Sequence, residues 1–295
     1  MGYQLWTSPI TGYRRKGTRL SELRSVLAAR IGARTILEPI QCCPTDALAS
    51  EMRDLLGERG FDVAGVMDDP KGPVIGFVIS KELSGGNVGN HKKPLNAEHL
   101  ISDATPIADL LRVLRAKERA FVLVGPEVKG IVTLADLNKP PIRVYLFGLV
   151  SLLEMHLRFW IKNAYSNGSW KERLKEKRLE YANQLQTERQ KRNQQIELLD
   201  CLQFCDLSDL FLGNEMLRTR LSIESKGKGE ELLGEAEKLR DRLAHSQQDL
   251  VEGTSWQELI DLVEAMEAFV QRSDELVEEE AKSSAKGGPS LWVVT

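Results

Sequence analysis

Four short runs in the front part of the chain set Val and Ile beside Gly, Pro or charge: GFDVAGVMD (60–68), PVIGFVI (73–79), AFVLVG (120–125) and KGIVTL (129–134). This is how half-buried strands read. Between them, PTDALASEMRDLLGER (44–59) and TPIADLLRVLRAKE (105–118) open on proline or a polar residue. Their apolar residues then recur at helical spacing. From Pro140 the pattern is helical throughout. A first helix, 140–165, opens on a proline pair and ends near Ser-Asn-Gly-Ser. A long charged helix follows over 170–205, and another from about Asp206 to Arg220. A turn at SKGKG (225–229) precedes a helix over 230–246. The last helix opens on the capping box Ser255–Glu258 and runs to about Ala281. The pattern predicts an α+β front part followed by an all-α bundle. The segments are an N-terminal extension (1–32), the mixed module (33–139), the helical bundle (140–281) and an apolar tail (282–295) ending LWVVT.

The mixed module repeats itself. Placing Arg53 over Arg112 brings Leu55 onto Leu114 and Val63 onto Val122. Further on, GFVISKEL (76–83) aligns with GIVTLADL (130–137) after a small gap. A unit this short cannot readily bury its apolar face alone, so the two copies should pack as one pseudo-symmetric body. On these residues, and on KGIVTLADL most of all, the module resembles a tandem pair of CBS (cystathionine-β-synthase-type) domains. The resemblance implies an adenine nucleotide as a regulatory ligand, with the phosphate and ribose held by Thr133 and Asp136. A hydroxyl at a helix start lies beside N–H groups that favour phosphate. The same T-x-x-D spacing is also a helix cap. The first copy departs from the pattern, with Ile79 in place of the Thr and Glu82 in place of the Asp. The linking segment SGGNVGNHKKPLN (84–96) is glycine-rich and basic but lacks G-K-[ST]. It reads as a mobile loop rather than a phosphate cradle.

Composition narrows the classes. The net charge of −3 leaves no global field towards nucleic acid, so an anion site must be local. The longest apolar stretch carries Glu154, His156 and Arg158, which suits a buried helix better than a membrane span. Cys42–Cys43 and Cys201–Cys205 form two local pairs among only four histidines. They read as buried free thiols in a reducing cytoplasm, with no metal site. No membrane contact is expected.

The stretch KLRDRLAHSQQDL (238–250) places Arg240, Asp241 and His245 late in the helical part. On an ideal helix i and i+4 lie about 40° apart and i and i+5 about 140°, so Asp241 shares a face with His245 and Arg240 does not. The helix reads as ending near His245, where orphan carbonyls favour the imidazolium. The Asp241–His245 spacing also suits an ordinary surface pair. With its all-helical setting, the motif resembles the HEPN superfamily (higher eukaryotes and prokaryotes nucleotide-binding), whose ribonuclease members carry Arg, a polar residue and His in this order. The resemblance implies metal-independent endoribonuclease chemistry, with no required cofactor. His245 would move the proton of the ribose 2′-OH or the leaving oxygen, and Arg240 would meet the charge on phosphorus. The products would be a 2′,3′-cyclic phosphate and a 5′-hydroxyl. It also implies a composite site across a homodimer or higher homo-oligomer, with Asp241, Glu154 and Arg158 near it. Fold-level analogy extends this to toxin or antiviral defence roles.

An RNA substrate needs local basicity. Residues 169–193 hold eight basic and four acidic side chains. Lys171, Arg173 and Lys175 are the candidate RNA contacts, with Trp170 and Tyr181 as stacking platforms. The same stretch also fits a solvated helix face. A second reading therefore stands beside the nuclease: a non-catalytic, nucleotide-sensing protein that dimerises.

Overall fold

A computed structural model describes residues 5–7, 14–16, 19–28, 31–245 and 249–285. The apolar end LWVVT lies outside the described residues. In chain order the first elements are β1 (Leu5–Thr7), β2 (Arg14–Lys16), α1 (Leu20–Ala28), β3 (Glu38–Pro39), β4 (Cys42–Pro44) and α2 (Ala49–Glu58). Then come β5 (Val63–Met67), β6 (Gly76–Ile79), β7 (Leu100–Ser102), α3 (Ile107–Lys117), β8 (Arg119–Val124) and β9 (Glu127–Thr133). The helices that follow are α4 (Pro140–Ala164), α5 (Glu176–Lys191), α6 (Phe204–Leu212), α7 (Glu215–Arg220), α8 (Lys226–Ala244) and α9 (Trp256–Ala285). The chain divides into an α/β unit, Ala28–Ile142, and a helical unit of residues 1–27 with Arg143–Thr295. Among the described front residues, α1 is tied to α9: Arg19 pairs with Glu278 at 3.0 Å and the Leu20 N–H donates to Asp274 at 2.9 Å.

In the α/β unit each copy runs strand, helix, strand, strand. β4 pairs parallel with β5, and β5 antiparallel with β6. In the second copy β7 pairs parallel with β8, and β8 antiparallel with β9. β3 adds to the far side of β9, closing a four-stranded sheet in the order β3-β9-β8-β7. The leading strands are three residues long, too short for a periodic signal. The copies meet through Phe77 and Phe121, whose rings lie 4.9 Å apart, and around them pack Val63, Ile79 and Ile131.

The register corrects the alignment of the copies. Val63 faces Ile79 and Arg119 faces Thr133, so Arg119, not Val122, stands where Val63 does. The burial pattern agrees: Ala64 and Val66 match Ala120 and Val122, all fully buried. The slip of three residues arises at the helix–strand link. It is four residues in the first copy (59–62) and one in the second, Glu118, which turns the chain with φ 60°.

The glycine-rich link is tied to the first copy by burial and backbone hydrogen bonds. Val88 is fully buried. Its N–H donates to Ala47 O at 2.9 Å, and Phe77 and Lys93 exchange backbone bonds of 3.0 and 2.8 Å. A Cβ at Gly76 would lie 2.7 Å from Lys93 O, so this close approach requires glycine.

The helical unit is built round α4, whose Tyr145, Leu149, Leu153, Leu157 and Trp160 are each at most 1% exposed. Among the described residues α4 is the one helix long and apolar enough to cross a membrane by composition, and 56% of its apolar window is buried in the protein. Several of its buried polar groups pair inside the protein, although Arg158 Nε is buried without a partner. Ser273 Oγ accepts from Trp160 Nε1 at 2.6 Å and pairs with His156 Nδ1 at 2.6 Å. Arg24 pairs with Glu267 at 2.6 Å, and the Tyr145 hydroxyl donates to the same carboxylate. Burial and Glu267 both push the Tyr145 phenol up.

Three helix boundaries differ from the sequence pattern. The charged helix is not continuous from 170 to 205: a 3₁₀ segment covers Ser166–Arg173, and α5 stops at Lys191. Only Ala182 of α5 is buried, and Asn193 takes the left-handed conformation (φ 56°) that ends helices. Residues 206–220 split at Gly213, with the Asn214 side chain capping Leu217 N–H at 3.2 Å. The SKGKG segment is the first turn of α8, because Ser225 Oγ accepts from Lys228 N–H at 3.2 Å. The Ser255–Glu258 capping box forms in both directions, at 2.8 and 3.2 Å.

Candidate functional sites

In the α/β unit Thr133 and Asp136 sit at the end of β9, where the chain turns into a 3₁₀ segment, Leu134–Asn138. Asp136 Oδ2 accepts from the Thr133 N–H at 2.7 Å and from its hydroxyl at 3.0 Å. Oδ1 pairs with Lys139 Nζ at 2.8 Å, and Lys139 also reaches Glu38 and the Ile36 carbonyl. Burial opposes the Lys139 charge, but Asp136 and Glu38 outweigh it and hold its pKa up. Asp136 is only 7% exposed. Its two oxygens are committed to a helix cap and an ion pair, and a ribose would have to displace them. In the first copy Glu82 is held in a similar way by Lys93, at 2.6 Å.

The open space lies elsewhere in the same unit. A cleft of about 340 Å³ is lined by Phe77 and Ile79 from β6, Lys93 from the link, His99 from the 3₁₀ turn Ala97–His99, and Lys117, Arg119 and Phe121. Three cations and a histidine therefore surround two aromatic rings. Lys93 is paired with Glu82, and Lys117 with Glu98 at 2.7 Å. Arg119 has no side-chain partner among the described residues. His99 stands edge-on to Phe77 at 5.4 Å, and its Nδ1 is buried without a hydrogen bond. Cross-strand partners share a sheet face, so Arg119 and Thr133 do. Where the first copy has the apolar pair Val63–Ile79, the second has a guanidinium beside a hydroxyl. The sequence pattern missed this set, because Arg119 becomes visible only once the register is known.

In the helical unit four of the five candidate residues come together. Arg240 of α8 lies 3.0 Å from Asp241, 3.6 Å from Glu154 of α4 and 4.0 Å from Glu237. Glu154 also pairs with Arg158 at 3.0 Å, and the Arg240 guanidinium sits 5.6 Å from the Phe204 ring. Burial works against the Arg240 charge, but Asp241, Glu154 and Glu237 raise its pKa overall. α8 ends at Ala244, and His245 stands exposed at its C-cap, its N–H donating to Arg242 O at 3.3 Å. Asp241 turns to Arg240 instead of His245. Of the candidate RNA contacts, Lys171, Arg173 and Lys175 are exposed. Lys171 lies 5.9 Å from the Trp170 ring and Arg173 5.4 Å from Tyr165. Trp170 is 5% exposed and cannot stack on a base, whereas Tyr181 is 50% exposed.

The four thiols are free, and burial pushes each of them up.

No family model matches the chain, and no curated protein matches it. Solved structures of CBS domains are similar to it over part of its length. The CBS domain of a bacterial CNNM/CorC family Mg2+ transporter, in complex with ATP, is 18% identical over 40% of this chain and 92% of its own, with a TM-score of 0.33. CBSX2 in complex with AMP is 17% identical over 38% of this chain and 97% of its own, with a TM-score of 0.33. CBSX2 from Arabidopsis thaliana is 18% identical over 39% and 94%, with a TM-score of 0.32.

Proposed function

We propose that the protein is a nucleotide-sensing binding protein whose α/β unit takes an adenine nucleotide in the cleft between β6 and β8. The observation that carries this reading is Arg119: a half-buried cation with no protein counter-charge among the described residues, at a cleft floored by Phe77 and Phe121. The base would lie against the two rings, and the phosphate would meet Arg119, with Lys117 and His99 beside it. Such a charge-assisted contact is among the stronger ones a protein offers to phosphate. Thr133 lies across the ladder from Arg119, which keeps the hydroxyl implied by the CBS resemblance on the same sheet face. Asp136 acts through the cap that fixes Thr133. Titration calorimetry with AMP, ADP and ATP tests the reading: saturable binding to the wild type should weaken at least tenfold in Arg119→Met. Unchanged binding in that variant would refute the placement.

A second reading, the endoribonuclease with a composite homodimer site, is favoured by one observation. α8 ends where the Arg–His motif needs it to, leaving His245 exposed within two turns of the Arg240 cluster. Within one chain, though, Arg240 is surrounded by three carboxylates. Two arginines against three acids leave that cluster net negative, so a phosphate would have to be met by residues of a second copy. The binding reading is the one the geometry of the single chain supports best.

A further inference from the structure

Between α8 and α9 runs a groove of about 660 Å³. Arg242 lines it while being only 7% exposed. The position falls on the inward stripe of α8 with Leu239 and Ala236, both fully buried, where an apolar side chain is the ordinary occupant. Its Nη1 donates to the Glu252 carbonyl at 3.0 Å. Its Nε is buried with no hydrogen-bond partner, and no carboxylate among the described residues pairs with it. A buried guanidinium without a counter-ion is costly, and such a group persists where something else supplies the anion.

The remaining walls restrict what that anion is attached to. Lys228 and Lys238 are neutralised on their own helix by Glu231 at 2.8 Å and Glu235 at 2.7 Å. Glu252, Glu258 and Asp261 form an acidic rim, and Leu259 and Leu262 an apolar floor. A polyphosphate or RNA would be repelled by three rim carboxylates before one guanidinium could hold it. A molecule with a single carboxylate, an apolar body and a cationic end matches all three surfaces. We propose that the α8–α9 groove binds a short zwitterionic peptide-like ligand, its carboxylate on Arg242, its apolar side chains on Leu259 and Leu262, and its cationic end at the acidic rim. The volume is that of an ordinary small-ligand pocket, roughly 300–1,000 Å³.

The probe is the tripeptide lysyl-leucyl-leucine, titrated calorimetrically into the full chain as the free acid and as the C-terminal amide, with inorganic phosphate as a third arm. The free acid should bind saturably, the amide at least tenfold more weakly, and phosphate not at all. Arg242→Met keeps much of the volume and removes the charge. It should abolish binding of the free acid while the melting temperature of the unliganded protein stays level or rises, since an unpaired buried charge has gone. No binding of the free acid, equal binding of the amide, or binding of phosphate at the same strength would each overturn the proposal. So would a melting temperature that falls in Arg242→Met while the peptide still binds, because Arg242 would then be a structural strut to Glu252.

Discussion

At the scale of single residues, spacing draws attention to one turn of the α/β unit. Thr133 and Asp136 stand out by spacing, yet the structure spends Asp136 on capping and on Lys139. Asp136→Ala should therefore act on stability first. Losing the cap costs about 1–2 kcal/mol, read as a lowered chemical-denaturation midpoint. Affinity for AMP should stay within about threefold of the wild type, since Arg119 carries the phosphate in this account and 1.4 kcal/mol would be needed for a tenfold change. A loss of AMP affinity larger than tenfold would return the carboxylate to the ribose. Arg119 was hidden by a three-residue slip at the helix–strand link, which no spacing rule reveals. Arg242 drew no notice in the motif spacing, and its place on the inward stripe of α8 shows only once burial is known. The HEPN resemblance implied that Glu154 and Arg158 lie near Arg240, and they do, but the turning of Asp241 towards Arg240 required coordinates.

Elements read well where periodicity is long and poorly where it is short. The runs at 60–68, 73–79, 120–125 and 129–134 each contain or overlap a strand, and both front helices form. β3, β4 and β7 have two or three residues and carry no alternation to read. Polar character over 170–205 suggested one helix, but a helix with one buried residue has no tertiary face to sustain it past a left-handed Asn193. Helix α8 offers a packing test. Gly229 gains helical propensity on replacement by Ala, about 1 kcal/mol. A Cβ there would lie 2.3 Å from Leu212 Cδ2 and 3.2 Å from Ile223 Cγ2, and Leu212 is 2% exposed. Overpacking of about 1–3 kcal/mol should win, so Gly229→Ala should lower the denaturation midpoint despite its better propensity. Helix α9 offers a pH test. Bonds from the Thr254 hydroxyl, then from the Ser255 N–H and hydroxyl, hold the Glu258 carboxyl below its usual range. A depressed folded-state pKa gives stability that is present above the unfolded value and lost as pH falls through the folded one. The melting-temperature gap between wild type and Glu258→Gln should be present at neutral pH and close in acid below the ordinary carboxylate range. A gap that persists there would assign the effect to shape rather than charge.

At the scale of the molecule, two units carry two kinds of chemistry. The α/β unit has an aromatic, cationic cleft with one unmatched guanidinium, and the helical unit has a neutralised arginine cluster beside an exposed histidine. The division was visible in the change of periodicity at Pro140, although the joining of α1 to α9 was not, since its partners Glu267, Asp274 and Glu278 lie far along the chain. RNA cleavage separates the two readings of the helical unit. Wild type and His245→Ala, incubated with total RNA in chelator with and without AMP or ATP, should both leave the RNA intact if this unit only binds. Cleavage by the wild type that His245→Ala abolishes would establish the nuclease instead.

The claim on which the account most depends is that an adenine nucleotide occupies the cleft at Arg119. Calorimetric titration of AMP into the full chain measures it directly. Saturable one-to-one binding that weakens at least tenfold in Arg119→Met, with the melting temperature of the unliganded variant unchanged, is the predicted result. No binding of AMP, ADP or ATP by the wild type, or equal binding by Arg119→Met, would contradict it.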